Sequence, residues 1–453
     1  MNTKKHYNFW QIWIMNFGFF GIQFSFGLQQ SNMSAIYKYL GASEGELPML
    51  WLAGPITGLV VQPIVGAISD RTWIPKLGRR KPFFLVGALL SSIALVLMPY
   101  SSSLFMAASL LWILDAANNL AMEPYRAFIA DTLDKKQISL GFLMQSFFTG
   151  LGITIANFTP SILVLLGLIS LTDTMDNGIP VYTYWAFTIG AAASVMSVLI
   201  SMWGPKEQKP AQESEPIVGS SISSAFSAIK EAIITMPKPM RQLIPVKFFT
   251  WYAMFCYWQY ITSALSLEFY HTTDQHSSGF MHAQLLTGQL NGSYNIICFL
   301  VALLLVPLTL KFTAQTVHCA ALFLGAVALL AIPFLSPNQV WLMLPNPFGE
   351  SISISTLFIY PIGLGIAWAS MMAIPYQILA ASVPMKKMGV YMGIFNLFIV
   401  IPMAIQILSM QFFVYDLLGQ NPIHVIQLAG CLLLIGGLFT LRIKNQNQDA
   451  TTD

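Results

Sequence analysis

Charge is scarce in this sequence. Only 9% of its 453 residues are Asp, Glu, Lys or Arg, against about 25% in soluble domains, and 55% are hydrophobic. A water-soluble fold has too little polar surface to enclose that much apolar material. Cysteine is scarce as well: Cys256, Cys298, Cys319 and Cys431 stand singly inside or at the ends of apolar runs, which gives neither a disulfide framework nor a metal spacing. The strand-like alternation of a membrane barrel is lacking. No nucleophile with its base, metal cluster or phosphate-binding loop is legible, which argues against an enzyme. No metal, cofactor or nucleic-acid partner is therefore expected.

What the chain has in abundance is apolar windows long enough to cross about 30 Å of hydrocarbon, which takes roughly 20 helical residues. Twelve are expected, at 9–37, 47–69, 82–99, 104–130, 139–167, 183–203, 242–269, 284–310, 316–335, 354–381, 389–412 and 422–442. The stretch after the basic residues 1–8 is too long for a signal peptide and lacks a small-residue cleavage site, so it reads as an uncleaved first span. A polar stretch, "WGPKEQKPAQESEPIVGSSISS", separates spans 6 and 7. The expected organisation is an all-α membrane protein with an N-terminal six-helix half at 1–203, a cytoplasmic linker at 204–240 and a C-terminal six-helix half at 241–453. Within the linker, Ala225–Met236 reads either as an amphipathic helix on the membrane or as plain linker. "SLTDTMDNGIPVY" and "SPNQVWLMLPNPFGESIS" read as surface loops, and His271, His276 and His282 as solvated loop histidines, with an external pH or metal role as the alternative.

Placing the N-terminus in the cytoplasm puts 19 of the 22 basic residues on that side. So lopsided a distribution fixes orientation: both termini are expected in the cytoplasm of a cell whose plasma or inner membrane holds the chain. The three exceptions are Lys38 at an outer helix end, and Arg126 and Lys247 within spans.

The fourth span, "LLWILDAANNLAMEPYRAFIAD", carries Asp115, Glu123 and Arg126, where a mid-bilayer charge costs at least about 2.5–3.5 kcal/mol. At 100° per residue Asp115, Asn118, Asn119, Met122 and Arg126 share a face, with Glu123 beside it. Charges in spans face a bundle interior or an aqueous cavity and mark ion or substrate pathways. A carboxyl moved between water and low dielectric, or towards a cation, changes its affinity for a proton. Asp115 is thus a candidate proton site, with Arg126 and Glu123 as coupling candidates. A Glu123–Arg126 ion pair is the structural alternative, since Asp115 and Arg126 are about 16 Å apart along a straight helix.

Span 1 supplies a stripe of amides, Gln23 and Gln30 flanked by Gln29 and Asn32, which with Asn118 and Asn119 suit a neutral polyhydroxylated ligand. Interhelical hydrogen bonding is the other role open to each. Span 7 adds Trp258 and Gln259, while Trp251 suits either a sugar or the lipid interface. Spans 10 and 11 add Gln377 and Asn396 and carry no charge at depth. The second half is therefore expected to bind substrate and the first to handle the proton, on the ground that the second lacks ionisable groups. In "GAISDRTWIPKLGRRKPF", Asp70, Arg71, Arg79 and Arg80 form a charged loop that, with Asp131 at the inner end of span 4, can latch the cytoplasmic side; topogenic charge alone would explain the cations.

That loop resembles the signature of the major facilitator superfamily, as does the six-plus-six layout with a central linker. More narrowly, "GIQFSFGLQQSNMSAIYKYLGA", "WLAGPITGLVVQPIVGAISDR" with "LGRRKPF", "LDAANNLAMEPYRAFIAD" and "GVYMGIFNLFIVIP" resemble segments of the proton-coupled sucrose and maltose transporters, which include plant sucrose carriers and bacterial and animal relatives. The resemblance implies twelve helices in two pseudo-symmetric halves, an α-glucoside substrate, Asp115 as proton acceptor and Arg126 as essential for transport. Plant members tend to have Gly where this chain has Glu123, so Asp115 alone and Asp115 with Glu123 both remain open as the carrier. The expectation is an alternating-access importer, monomeric in the bilayer, that takes a sugar and a proton. Another neutral solute, sodium coupling, export and a transport-inactive sensor are the alternatives.

Overall fold

The computed structural model describes residues 6–134, 136–207, 230–344, 352–383 and 388–443. Among them run twelve long helices: α1 (Phe9–Tyr39), α2 (Ala53–Arg71), α3 (Lys81–Leu97), α4 (Leu104–Thr132), α5 (Ile138–Leu165), α6 (Val181–Met202), α7 (Lys238–Tyr270), α8 (Ser278–Lys311), α9 (Ala314–Ala331), α10 (Tyr360–Ser382), α11 (Met388–Ser409) and α12 (Pro422–Thr440). Ten helical stretches are long and apolar enough to cross a membrane. Helices α1 and α7, at 31 and 33 residues, have the length but are diluted by polar side chains. These are turned inward: Asn16, Gln23, Gln29 and Asn32 of α1 and Lys247 and Gln259 of α7 are all buried.

Proline sits inside α2, α4, α5, α7, α8, α10 and α11. Each removes one backbone donor, a loss that neighbouring helices and hydroxyl side chains make tolerable within a membrane. Helix α11 passes through a π turn at Met410–Val414 before ending at Leu417.

The chain divides into two compact units, residues 1–211 with 270–292, and 212–269 with 293–453. Helix α8 contributes to both. In the first unit α1 packs along α5 and α6, α3 along α4 and α6, and α2 along α4. The closeness of α1 to its neighbours rests on small residues, as is usual for helices that must associate in lipid. A β-carbon on Gly21 would come within 2.2 Å of Ser197 Oγ and 2.5 Å of the Ala193 carbonyl, and one on Gly152 within 2.4 Å of the Phe20 carbonyl. Aromatic rings fill one end, where Phe84 and Phe128 pack on Tyr125. In the second unit α9 packs on α10 and α12, and a cluster including Leu243, Ile378, Leu379 and Phe395 forms a core.

Three loop expectations change. His282 stands within α8 and not in a loop. The stretch read as a surface loop before α10 contains an antiparallel hairpin, β1 (Val340–Leu344) with β2 (Ile352–Ser355), in which Leu342 faces Ile354. Aliphatic and β-branched residues on either side of the sequence Pro-Asn-Pro-Phe-Gly favour strands over a bare loop. In the linker, 225–229 lie outside the described residues, but Ala232 and Met236 are buried in the core of the second unit and Thr235 Oγ1 lies 3.2 Å from the Tyr391 hydroxyl. Residues 230–234 are helical, with Ala232 buried and Ile233 and Ile234 exposed, the two-sided pattern of an amphipathic helix rather than of a plain linker.

Gly21→Leu should force α1 and α6 apart, at a cost of about 1–3 kcal/mol or more for overpacking. A lowered melting temperature in detergent checks this. Gly58→Ala, where a β-carbon would meet nothing within 4 Å, should leave it unchanged.

Candidate functional site

Asp115 is 1% exposed, on the side of α4 that meets α1 and α2. Its Oδ1 accepts a 2.8 Å hydrogen bond from Gln29 Nε2, while Oδ2 has no hydrogen-bond partner among the described residues and lies 3.7 Å from where a β-carbon on Gly54 would stand. One turn on, Asn119 Nδ2 donates to the Asp115 carbonyl at 2.9 Å and to Thr57 Oγ1 at 3.2 Å, and its Oδ1 accepts from Gln62 Nε2 at 2.6 Å. Asn118 turns the other way and donates to Ser25 Oγ at 3.0 Å. Helix α4 therefore sits between α1 and α2 with an amide turned to each. The site has a surplus of acceptors: Asp115 Oδ2, Gln29 Oε1 and Asn118 Oδ1 are all buried and without a donor among the described residues. A buried acceptor without a partner costs about 1–3 kcal/mol.

The other residues of that face go elsewhere. Gln23 Nε2 approaches Met122 Sδ at 3.4 Å, and Gln30 is half-buried. Arg126 and Glu123 side chains are 47% and 40% exposed and 3.9 Å apart, so the ion pair that their spacing allows is loose. Asn32 belongs to a second network, built on Gln284 of α8. Gln284 Nε2 donates to Asn32 Oδ1 at 2.9 Å and Thr183 Oγ1 at 3.0 Å, and its Oε1 accepts from the hydroxyls of Tyr39 at 2.8 Å and Tyr182 at 2.9 Å. Beside it Asn291 Nδ2 donates to Ser31 Oγ at 2.9 Å, and Ser31 in turn bonds Asn157 Oδ1. Sequence reasoning missed this network, although Gln284 and Asn291 stand seven residues apart on one face of an expected span. It ties the start of α8 to α1, α5 and α6.

The charged loop folds into one knot. Arg80 donates to Asp70 Oδ1, to Asp131 Oδ2 at 2.9 Å and to Ser69 Oγ at 2.6 Å, and Arg79 reaches Asp131 Oδ2 at 2.5 Å. The side chain of Arg71 lies outside the described residues. A residue not foreseen completes the knot. The Glu207 carboxylate accepts the backbone N–H groups of Arg79 at 2.7 Å and of Arg80 and Lys81 at 3.0 Å, capping the start of α3 where a negative charge is favoured. Gly78, at φ +91°, leaves room for it, since a β-carbon there would stand 2.7 Å from Glu207 Cδ.

In the second unit Trp258 donates from Nε1 to the Tyr294 hydroxyl at 3.1 Å. Its ring meets those of Trp251 and Trp368 edge-on at 6.4 and 5.3 Å. Trp251 is buried among these rings, which removes the lipid-interface reading. Gln259 Oε1 accepts from Gln406 Nε2 at 2.9 Å, and Gln259 Nε2 has no partner among the described residues. Asn396 is half-buried and Gln377 exposed, so neither joins this group.

The expectation that the second half lacks ionisable groups is wrong. Lys247 is 1% exposed, and Nζ stands 5.5, 5.0 and 4.9 Å from the ring centres of Trp251, Tyr376 and Phe395, with no hydrogen-bond partner among the described residues. His318 of α9 is also buried, and its Nδ1 lies 2.5 Å from Ser370 Oγ. Burying an ammonium costs several kcal/mol, and a desolvated ring face returns about 2 kcal/mol or more. Three rings can offset the lost water, but they offer no lone pairs to the three N–H donors.

With this geometry in place, comparison with known proteins gives the class. The family model for the Major Facilitator Superfamily matches residues 15–407, and the chain belongs to that family. Among curated proteins it is similar to sucrose transport protein SUT5 of Oryza sativa subsp. indica, 24% identical with 85% of this chain and 78% of that one covered. It is also similar to sucrose transport protein SUC4 of Arabidopsis thaliana, 26% identical with 85% and 80% covered. Solved structures share the fold: the nucleoside transporter NupG, TM-score 0.62, 16% identical, 96% of each chain covered, and the xylose transporter XylE from E. coli, TM-score 0.62, 11% identical, 96% and 95% covered.

Arg80→Met should destabilise the first unit. The side chains of Asp70 and Asp131 are 58% and 34% exposed and keep their water, so the cost should be about 1–2 kcal/mol, below the 3–5 typical when a buried charge is stranded. Thermal melting in detergent measures it.

Proposed function

We propose that this chain imports a disaccharide or α-glucoside, sucrose or maltose, together with a proton, by alternating access across a plasma or inner membrane, with both termini in the cytoplasm. The observation that carries the reading is Asp115, a buried carboxyl with one oxygen held by Gln29 and the other unpartnered. An oxygen so placed can take a proton without breaking an existing bond. The acceptors around it, on Gln29 and Asn118, match a solute rich in hydroxyl donors, and the similar curated proteins are named as sucrose transport proteins. One proton crossing about 100 mV and one pH unit supplies roughly 3.7 kcal/mol, enough to concentrate a neutral solute some 500-fold.

In this reading Gln29 holds the carboxyl in place, Asn119 fixes the α4 backbone beneath it, and Asn118 faces the solute with Gln29. Glu123 neutralises Arg126 and leaves the proton to Asp115. The Asp70, Arg79, Arg80 and Asp131 knot, anchored by Glu207, serves as the cytoplasmic latch.

Uptake of labelled sucrose and maltose into proteoliposomes tests the assignment. Wild type should accumulate one of them only under an inward proton gradient. Asp115→Asn should lose accumulation while exchanging internal for external sugar, and Glu123→Gln should still accumulate. Concentrative uptake by Asp115→Asn at the wild-type level would refute the assignment.

A further inference from the structure

The second unit holds both kinds of buried polar atom without a partner among the described residues, and Gln406 Oε1, on the amide that donates to Gln259, is an acceptor of that kind. Around the tryptophan cluster, Lys247 Nζ, Trp251 Nε1 and Gln259 Nε2 are buried donors with no hydrogen-bond partner among the described residues. Lys247 and Trp251 stand one turn apart on the same side of α7. The rings of Trp251, Tyr376 and Phe395 come from α7, α10 and α11, so three helices fix the position of the ammonium. A carboxylate would satisfy such a cation, yet among the described residues Lys247 pairs with none.

Trp251, Trp258 and Trp368 add aromatic surface beside the donors. Flat aromatic surface next to donors that lack acceptors is the chemistry of a site for a ring-shaped solute rich in oxygen. We propose that Lys247 is a sugar-recognition residue of the second unit, its ring-caged ammonium and the Trp251 indole N–H donating hydrogen bonds to hydroxyl or ring oxygens of the transported sugar. The proposal rests on the sugar-import reading and adds to it a binding group that the amides alone do not supply. It also gives the unpaired charge a use: in the solute-free protein Lys247 is a liability to stability, and the sugar supplies the lone pairs that the three rings lack.

Calorimetric titration of purified protein in detergent with sucrose and with maltose, alongside thermal melting, tests it on wild type, Lys247→Met and Lys247→Arg. Loss of a charge-assisted bond should weaken binding of the transported sugar by about ten- to a hundredfold in Lys247→Met. Lys247→Arg, which keeps the donors, should fall between that variant and wild type. The melting temperature of Lys247→Met should stay level or rise, because an unpaired buried charge has been removed. Unchanged affinity in Lys247→Met would overturn the proposal, and so would a loss of affinity accompanied by a lower melting temperature, which would mark the cage as structural. If wild type binds neither sugar, this proposal and the import reading fall together. If Asp115→Asn loses accumulation while Lys247→Met binds as wild type does, this proposal falls alone.

Discussion

The hydrogen bond from Gln29 to Asp115 is the contact on which the account of this protein turns. It joins α1 to α4 and satisfies one carboxyl oxygen while leaving the other unpartnered. A buried carboxyl oxygen without a partner is costly. The glycines of α1 make the arrangement possible. With no β-carbon at Gly21, or at Gly152 on the facing helix, α1 sits hard against α5 and α6, and the amides on its other side are held at a fixed distance from α4.

Among the described residues, acceptors without donors gather round Asp115, while Lys247 Nζ and Trp251 Nε1, one turn apart, are donors without acceptors. The Gln284 network is the counter-example, a buried amide whose two ends make four bonds. Gln29 and Asn118 also bridge helices, but each leaves its carbonyl oxygen without a partner among the described residues.

Much of this was legible in the sequence. Spans could be read because apolar runs of helical length leave few other structures open in a membrane, and even α1 and α7, diluted by inward polar groups, kept their length. Asp115 stood out because a charge inside such a run has few reasons to exist. Periodicity failed where a helix has more than one packed side. It could not tell that Asn32 bonds Gln284 of α8, or that Arg126 and Gln377 are exposed while Asp115 is buried. Glu207 was illegible because a cap made through backbone N–H groups leaves no side-chain pattern at α3. Lys247 was visible as a charge within a span, but its cage draws on α10 and α11, more than a hundred residues away, and only the fold brings those together.

Proton movement itself tests the central claim most directly. A pH-sensitive dye outside proteoliposomes, with sugar added externally and no gradient imposed, reports whether solute entry carries protons. The account predicts alkalinisation of the outer medium on adding sucrose or maltose with wild-type protein, and none with Asp115→Asn. Sugar entry by the wild type with no change in external pH would contradict it.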